Sequence, residues 1–155
     1  MINYIDDICN PQFFSIVRET FAFGSLKALF QTASSLRTVK FLTMHLSKVD
    51  SAHGDPLCGL CRELALLEGS NNFEEIVINI ATNCRFVEHS IFGDLHNILV
   101  SPGYSKLRRL HLEISLSGVY DRESFKQELE DAARAQCSRL LNPTFTYVVV
   151  LEGVI

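Results

Sequence analysis

The stretch Leu107–Leu112, LRRLHL, decides the predicted fold. Its residues follow the pattern apolar-x-x-apolar-x-apolar, which is typical of a strand that buries one face. The same pattern occurs at Leu36–Phe41, Phe73–Ile78 and Phe145–Val150, all of them rich in apolar or β-branched residues. The four stretches begin roughly 34 to 38 residues apart, and an even spacing of this kind indicates a repeat architecture.

Helix signals separate these predicted strands. Asn10-Pro11 and Asp55-Pro56 each place a capping residue before proline, and Ser124 with Gln127 forms a capping box. No hairpin turn joins successive strands, so helices are expected to connect them as crossovers between parallel strands. The predicted fold is α/β, a leucine-rich-repeat-like solenoid of about four helix–strand units with a parallel sheet. Residues 1–155 form one domain, with 1–24 as an N-terminal helical cap and 25–151 as the repeats.

Composition limits the classes of function. Of the 155 residues, 47% are hydrophobic and 21% charged, which is typical of a globular protein, and the net charge is −4. There is no long basic run to bind nucleic acid and no apolar run long enough to span a membrane. The acidic Met1–Asp7 lacks the features of a signal peptide, and five cysteines form no disulfide framework. These features predict an intracellular protein, cytoplasmic or nuclear, that binds neither nucleic acid nor membranes.

The segment Tyr104–Leu116, YSKLRRLHLEISL, carries a resemblance to a known family. It resembles the strand units in the C-terminal, leucine-rich-repeat-like region of F-box-like proteins, which are numerous in fungi, and the likeness extends over residues 25–151. The resemblance implies a protein-interaction module that recognises substrates for a ubiquitin ligase. The F-box itself, which docks onto the ligase adaptor, is not recognisable. The chain is therefore expected to be a fragment of a longer architecture.

Cys58 and Cys61 have the C-x-x-C spacing of a redox or metal site. However, Cys61 belongs to an apolar stripe of helical spacing over Leu57–Leu67, with Cys58 at its edge, which favours a structural role. No second pair of ligands completes a zinc site, and no nucleotide-binding or nucleophile motif occurs. We predict no enzymatic activity, cofactor or metal. A small thiol oxidoreductase that uses Cys58 and Cys61 remains the alternative, as does a structural fragment without its own activity.

The outward-facing residues of the predicted strands are the candidate binding surface. If the apolar positions face the helices, the residues between them face outward, and such a sheet face binds partners in solenoids. The alternative is that these residues only keep the sheet soluble. The predicted partner is a protein of unknown identity. The candidate residues are Lys40, Glu75, Asn79, Arg109, His111, Glu113 and Tyr147.

The C-terminal strand is apolar on both faces. Phe145–Leu151 contains aromatic and β-branched residues at consecutive positions, with Val149 expected to face outward. An exposed edge of this composition pairs readily with another chain. We therefore predict self-association through this strand, unless an unrecognised segment covers it.

Overall fold

The computed structural model describes residues 12–18, 24–32, 38–48, 57, 59–83, 91–118, 121–137 and 144–151. It is an α/β structure with a parallel sheet. The strands are β1 (Phe13–Arg18), β2 (Phe41–Lys48), β3 (Glu75–Thr82), β4 (Arg109–Leu116) and β5 (Thr144–Leu151). The α-helices are α1 (Ser25–Thr32), α2 (Leu60–Leu66), α3 (Ile91–Leu99) and α4 (Arg122–Gln136). A 3₁₀ turn, Pro102–Tyr104, precedes β4.

The strands pair in sequence order, β1-β2-β3-β4-β5, and each pairing is parallel. This confirms the prediction of parallel strands that lie side by side in the order of the chain. Parallel neighbours require a crossover connection, and a described helix lies between each consecutive pair of strands.

The described helices share one hydrophobic core with one face of the sheet. Along β3 and β4 the residues alternate strictly, so that Ile78 and Leu112 are fully buried whereas their neighbours in the sequence are partly exposed. Phe92 of α3 and Phe125 of α4 are buried in the same cluster. Each such side chain contributes about 1.5–3 kcal/mol by its removal from water. None of the described helices covers the opposite sheet face, which we call the outer face.

The predicted register of β2 is wrong. Val39 and Leu42 are buried at 1% exposure, so Leu42 does not face outward as expected. Leu36, the first residue of the predicted pattern, lies outside the described residues. Phe41 lies on the outer face instead, where its ring stacks on Phe13 with a centroid separation of 4.4 Å. The pattern was ambiguous because apolar residues occupy both faces of this strand.

The predicted register of β5 is also wrong, by three residues, since Leu110 pairs with Phe145 and not with Val148. Tyr147 is paired with the buried Leu112, and its ring packs edge-on against Phe92 at 5.6 Å, so Tyr147 faces the helices and not the outer face. Position 149 falls in the same row as buried Ile114. The outward residues include Thr146, Val148 and Val150. Burial of an aromatic ring against the core decided this register, and a shift by an odd number of residues exchanges the two faces of a strand.

The N-terminal helical cap predicted for residues 1–24 is contradicted over 13–18, which form β1. Phe14 and Ile16 pack on the core from alternate positions of this strand. Main-chain hydrogen bonds join the start of β1 to β2, with the carbonyl of Gln12 accepting from Lys40 and Phe41. Proline at position 11 precedes a strand here rather than a helix.

A buried carboxylate joins the first two helices. Glu63 of α2 is 1% exposed, and its two oxygens accept hydrogen bonds from the backbone N–H groups of Gly24 (2.6 Å) and Leu26 (2.7 Å). These donors lie at the start of α1, where backbone N–H groups have no partner within the helix. Glu63 therefore caps α1 from the neighbouring helix, and its charge complements the helix dipole.

Candidate functional site

The outer face consists of aligned rows of side chains that run across the sheet, of which the first three hold most of the charged and aromatic groups, while a fourth contains Ala81, Ser115 and Val150. The strand register places partners from adjacent strands opposite one another, so each row is continuous from strand to strand. The first row contains Phe13, Phe41, Glu75 and Arg109; the second contains Ser15, Thr43, Val77, His111 and Thr146; the third contains His45, Asn79, Glu113 and Val148.

The centre of the outer face is polar, and its charged groups are paired with one another. Arg109 Nη1 lies 3.1 Å from Glu75 Oε2. His111 is held from two sides, because its Nδ1 lies 2.7 Å from Thr146 Oγ1 and its Nε2 lies 3.7 Å from Glu113 Oε2. Exposed pairs of this kind contribute about 0–1 kcal/mol each, so they orient side chains more than they stabilise the fold.

A shallow groove crosses the third row of the outer face. Asn79 Nδ2 lies 3.3 Å from His45 Nδ1, and both side chains border a cavity of about 450 Å³ together with Glu113 and Ser115. Small side chains such as Ala81 form its floor. The groove can accept a side chain that offers hydrogen bonds to an imidazole, an amide and a carboxylate.

Apolar side chains stand at both ends of this polar centre. Phe13 is 50% exposed and stacks on Phe41 at the β1 end, while Val148 (43%) and Val150 (36%) are exposed at the β5 end. Among the described residues, the only other large hydrophobic side chain exposed to this degree is Val100. Most of the exposed large apolar groups of the described chain therefore lie on the outer face.

The predicted binding residues divide into three groups. Five lie on the outer face as expected: Glu75, Asn79, Arg109, His111 and Glu113. Lys40 precedes β2 and forms an ion pair of 2.9 Å with Glu74, whose pKa is lowered chiefly by that hydrogen bond. Tyr147 lies on the opposite face, where burial raises the pKa of its phenol.

Sequence analysis did not identify His45, Phe13 or Val148 as part of this surface. A signal for His45 exists, because it alternates with the apolar residues Met44 and Leu46 in a clean strand pattern. Phe13 and Val148 carry no such signal, since apolar residues precede or follow them on both faces of their strands.

The two described cysteines, Cys61 and Cys137, give no support for a chemical site. Cys58 lies outside the described residues, and Cys61 is half-buried and packs against the core. Cys137 is buried, its Sγ lies 3.6 Å from the carbonyl oxygen of Phe92, and burial raises its pKa to about 11. Among the described residues, three or more His, Cys, Asp or Glu side chains nowhere gather to hold a metal. No helix in the described ranges has the length and apolarity to cross a membrane.

Comparison of the chain with protein-family models, curated proteins and solved structures finds no match in any of the three. The function is therefore inferred from the geometry of the outer face.

Proposed function

We propose that this chain is a protein-interaction module that binds a partner protein on its outer face. The observation that carries the proposal is the arrangement of exposed apolar groups at both ends of a polar centre that no described helix covers. Apolar patches bordered by polar residues are typical of interaction surfaces. In this role the chain needs no enzymatic activity, cofactor or metal. We also propose that the protein acts inside the cell, in the cytoplasm or nucleus.

The aligned strands support a leucine-rich-repeat-like solenoid as the architecture of this module. In the corrected register, Val39-x-x-Leu42-x-Met44, Phe73-x-x-Ile76-x-Ile78 and Leu107-x-x-Leu110-x-Leu112 occupy equivalent inward positions, spaced about 34 residues apart. Each neighbour then adds one strand and one helix to a continuous core. Solenoids of this kind bind their partners on the sheet face.

The two parts of the outer face have different roles in the proposed binding. Phe13 and Val148 supply apolar area that gains free energy when a partner removes it from water. Arg109 and His111 supply directional hydrogen bonds, and arginine is enriched among residues that dominate binding energy. Because Arg109 is already paired with Glu75, a partner must match both charges, which gives specificity more than affinity.

More specifically, we propose that the partner bound on the outer face is a protein to which a ubiquitin ligase attaches ubiquitin. This proposal rests on the resemblance of Tyr104–Leu116 to the repeats of F-box-like proteins. In that role the outer face holds the substrate.

Affinity capture with matched variants tests the proposed function. Arg109→Glu reverses the charge of a side chain that is 63% exposed on the outer face, and Arg134→Glu makes the same change at a 75% exposed position on α4. We expect proteins captured by the wild type and by Arg134→Glu to be lost with Arg109→Glu. If the wild type, Arg109→Glu, Arg134→Glu and Phe13→Ser all capture the same proteins in equal amounts, the outer face is not the binding surface.

A further inference from the structure

A second surface lies at the edge of the sheet where the strands begin. It is a cavity of about 630 Å³ between α1, the loop after α2 and the 3₁₀ turn before β4, and we call it the edge groove. This volume is within the range of ligand sites in proteins. Its principal lining residues are Lys27, Phe30, Leu67, Asn71, Asn72 and Lys106.

The base of the edge groove is fixed by contacts between two loops. The Asn71 side-chain amide donates hydrogen bonds to the carbonyls of Leu67 (2.9 Å) and Gly103 (3.1 Å). The backbone N–H of Gly69 also donates to the Gly103 carbonyl, at 3.2 Å. A Cβ atom on Gly103 would lie 2.8 Å from Gly69 N, so only glycine permits this approach. The groove is therefore built on a tight and well-bonded connection.

Two lysines, Lys27 and Lys106, line the edge groove. Lys106 Nζ donates one hydrogen bond of 2.5 Å to Asn72 Oδ1, which fixes its position and leaves two of its three donors for a ligand. Lys27 lies on the α1 side and forms no ion pair with a described residue. An ammonium without an anionic partner is available to a negatively charged ligand.

The described side chains around the edge groove carry a net positive charge, although the whole chain carries −4. An adjoining cavity of about 420 Å³ shares Lys106 and Asn72 with the groove and contains Lys40 and Glu74. The neighbouring charges are Lys27, Lys40, Lys106 and Arg108 against Glu68 and Glu74. The cations therefore outnumber the anions along a strip formed by two connected cavities.

We propose that the edge groove binds an acidic segment of a polypeptide. Cations distributed along two adjoining cavities match a chain with several carboxylates better than they match one small anion. Phe30 and Leu67, which are 6% and 1% exposed, close the base of the groove and leave its accessible surface to the polar and charged side chains. The groove lies beside the strand starts and not on the outer face, so this proposal is independent of the one above.

Fluorescence anisotropy with a labelled peptide of consecutive glutamates tests the proposal. We expect the peptide to bind the wild-type chain, with an affinity that falls as salt increases. The double variant Lys27→Gln, Lys106→Gln should raise the Kd about three- to tenfold, as two exposed ion pairs would. Lys126→Gln, which removes a lysine from α4 beside Glu130, is the matched control and should leave the Kd unchanged.

The outcomes separate the proposal from nonspecific attraction. Ser105→Glu places a negative charge at the rim of the groove and should also weaken binding. A peptide with lysine in place of glutamate should not bind. Failure of the acidic peptide to bind the wild type, equal binding by the double variant, or equal weakening by Lys126→Gln would each overturn the proposal.

Discussion

Replacement of the buried carboxylate by an amide, Glu63→Gln, should destabilise the protein strongly. Glu63 is 1% exposed and accepts one hydrogen bond with each oxygen, from Gly24 N and Leu26 N. Glutamine preserves the volume but turns one acceptor into an –NH₂ donor that faces a backbone donor. A hydrogen bond to a charged group contributes about 1.5–3 kcal/mol, and an unsatisfied buried donor costs about 1–3 kcal/mol. Allowing for relaxation around the amide, we expect Glu63→Gln to lower the free energy of unfolding by about 2–4 kcal/mol.

Glu63→Ala should cost more, about 3–5 kcal/mol, because it leaves both donors unsatisfied and also creates a cavity. Urea unfolding followed by circular dichroism measures these differences, provided that the slope with denaturant is unchanged. The matched control is Glu123→Gln in the first turn of α4, where the side chain is exposed. Its effect should remain within about 0.5 kcal/mol.

Hydrogen exchange provides the local test of the same reasoning. In Glu63→Gln the first amides of α1 should lose protection before those of α4, since the substitution removes the cap of α1 only. If Glu63→Gln is as stable as Glu123→Gln, or if α1 keeps its protection, the carboxylate does not cap α1.

Three further predictions follow from other contacts. Gly103→Ala should cost about 1–3 kcal/mol and lower the Tm, because its Cβ would lie 2.8 Å from Gly69 N, and an unchanged Tm would contradict this close approach. Burial raises the thiol pKa of Cys137 to about 11, so this thiol should stay protonated at pH 8 and resist iodoacetamide until the chain unfolds. Rapid labelling of Cys137 in the native protein, detected by peptide mapping, would show that the thiol is accessible. Val148→Lys should reduce the concentration-dependent self-association of the chain in analytical ultracentrifugation. Val100→Lys, at a residue with the same exposure of 43%, should leave self-association unchanged. Equal effects of the two substitutions would exclude β5 as the contact between copies.

The central strands could be predicted from the sequence because their two faces differ in chemistry. In β3 and β4, apolar residues such as Ile78 and Leu112 alternate with polar ones such as Asn79 and His111, so only one register buries the apolar set. The cross-strand pair Glu75–Arg109 followed directly from this alternation.

The registers of β2 and β5 could not be predicted in the same way. In β2 and β5, Phe41 and Val148 are apolar although they face outward, so two registers fitted the pattern equally well. Contacts between distant residues decided between them, namely the Phe13–Phe41 stack and the packing of Tyr147 on Phe92. The strand β1 was missed for a different reason, since its pairing with β2 overrides a local helix signal.

The edge groove was also beyond sequence analysis. Lys27, Asn72 and Lys106 come from three parts of the chain and carry no motif, so only the fold brings them together. The same holds for Glu63, whose place in a helical pattern gives no indication that it caps another helix.

Hydroxyl-radical footprinting of the chain, free and bound to a captured partner, tests the central claim most directly. If the outer face binds the partner, Phe13, His111 and Val148 should become protected in the complex. Val100 is as exposed as Val148 but follows α3, away from the outer face, and it should remain equally reactive in both states. Protection of Val100 with unchanged reactivity at Phe13 and Val148 would contradict the claim that this sheet face is the binding surface.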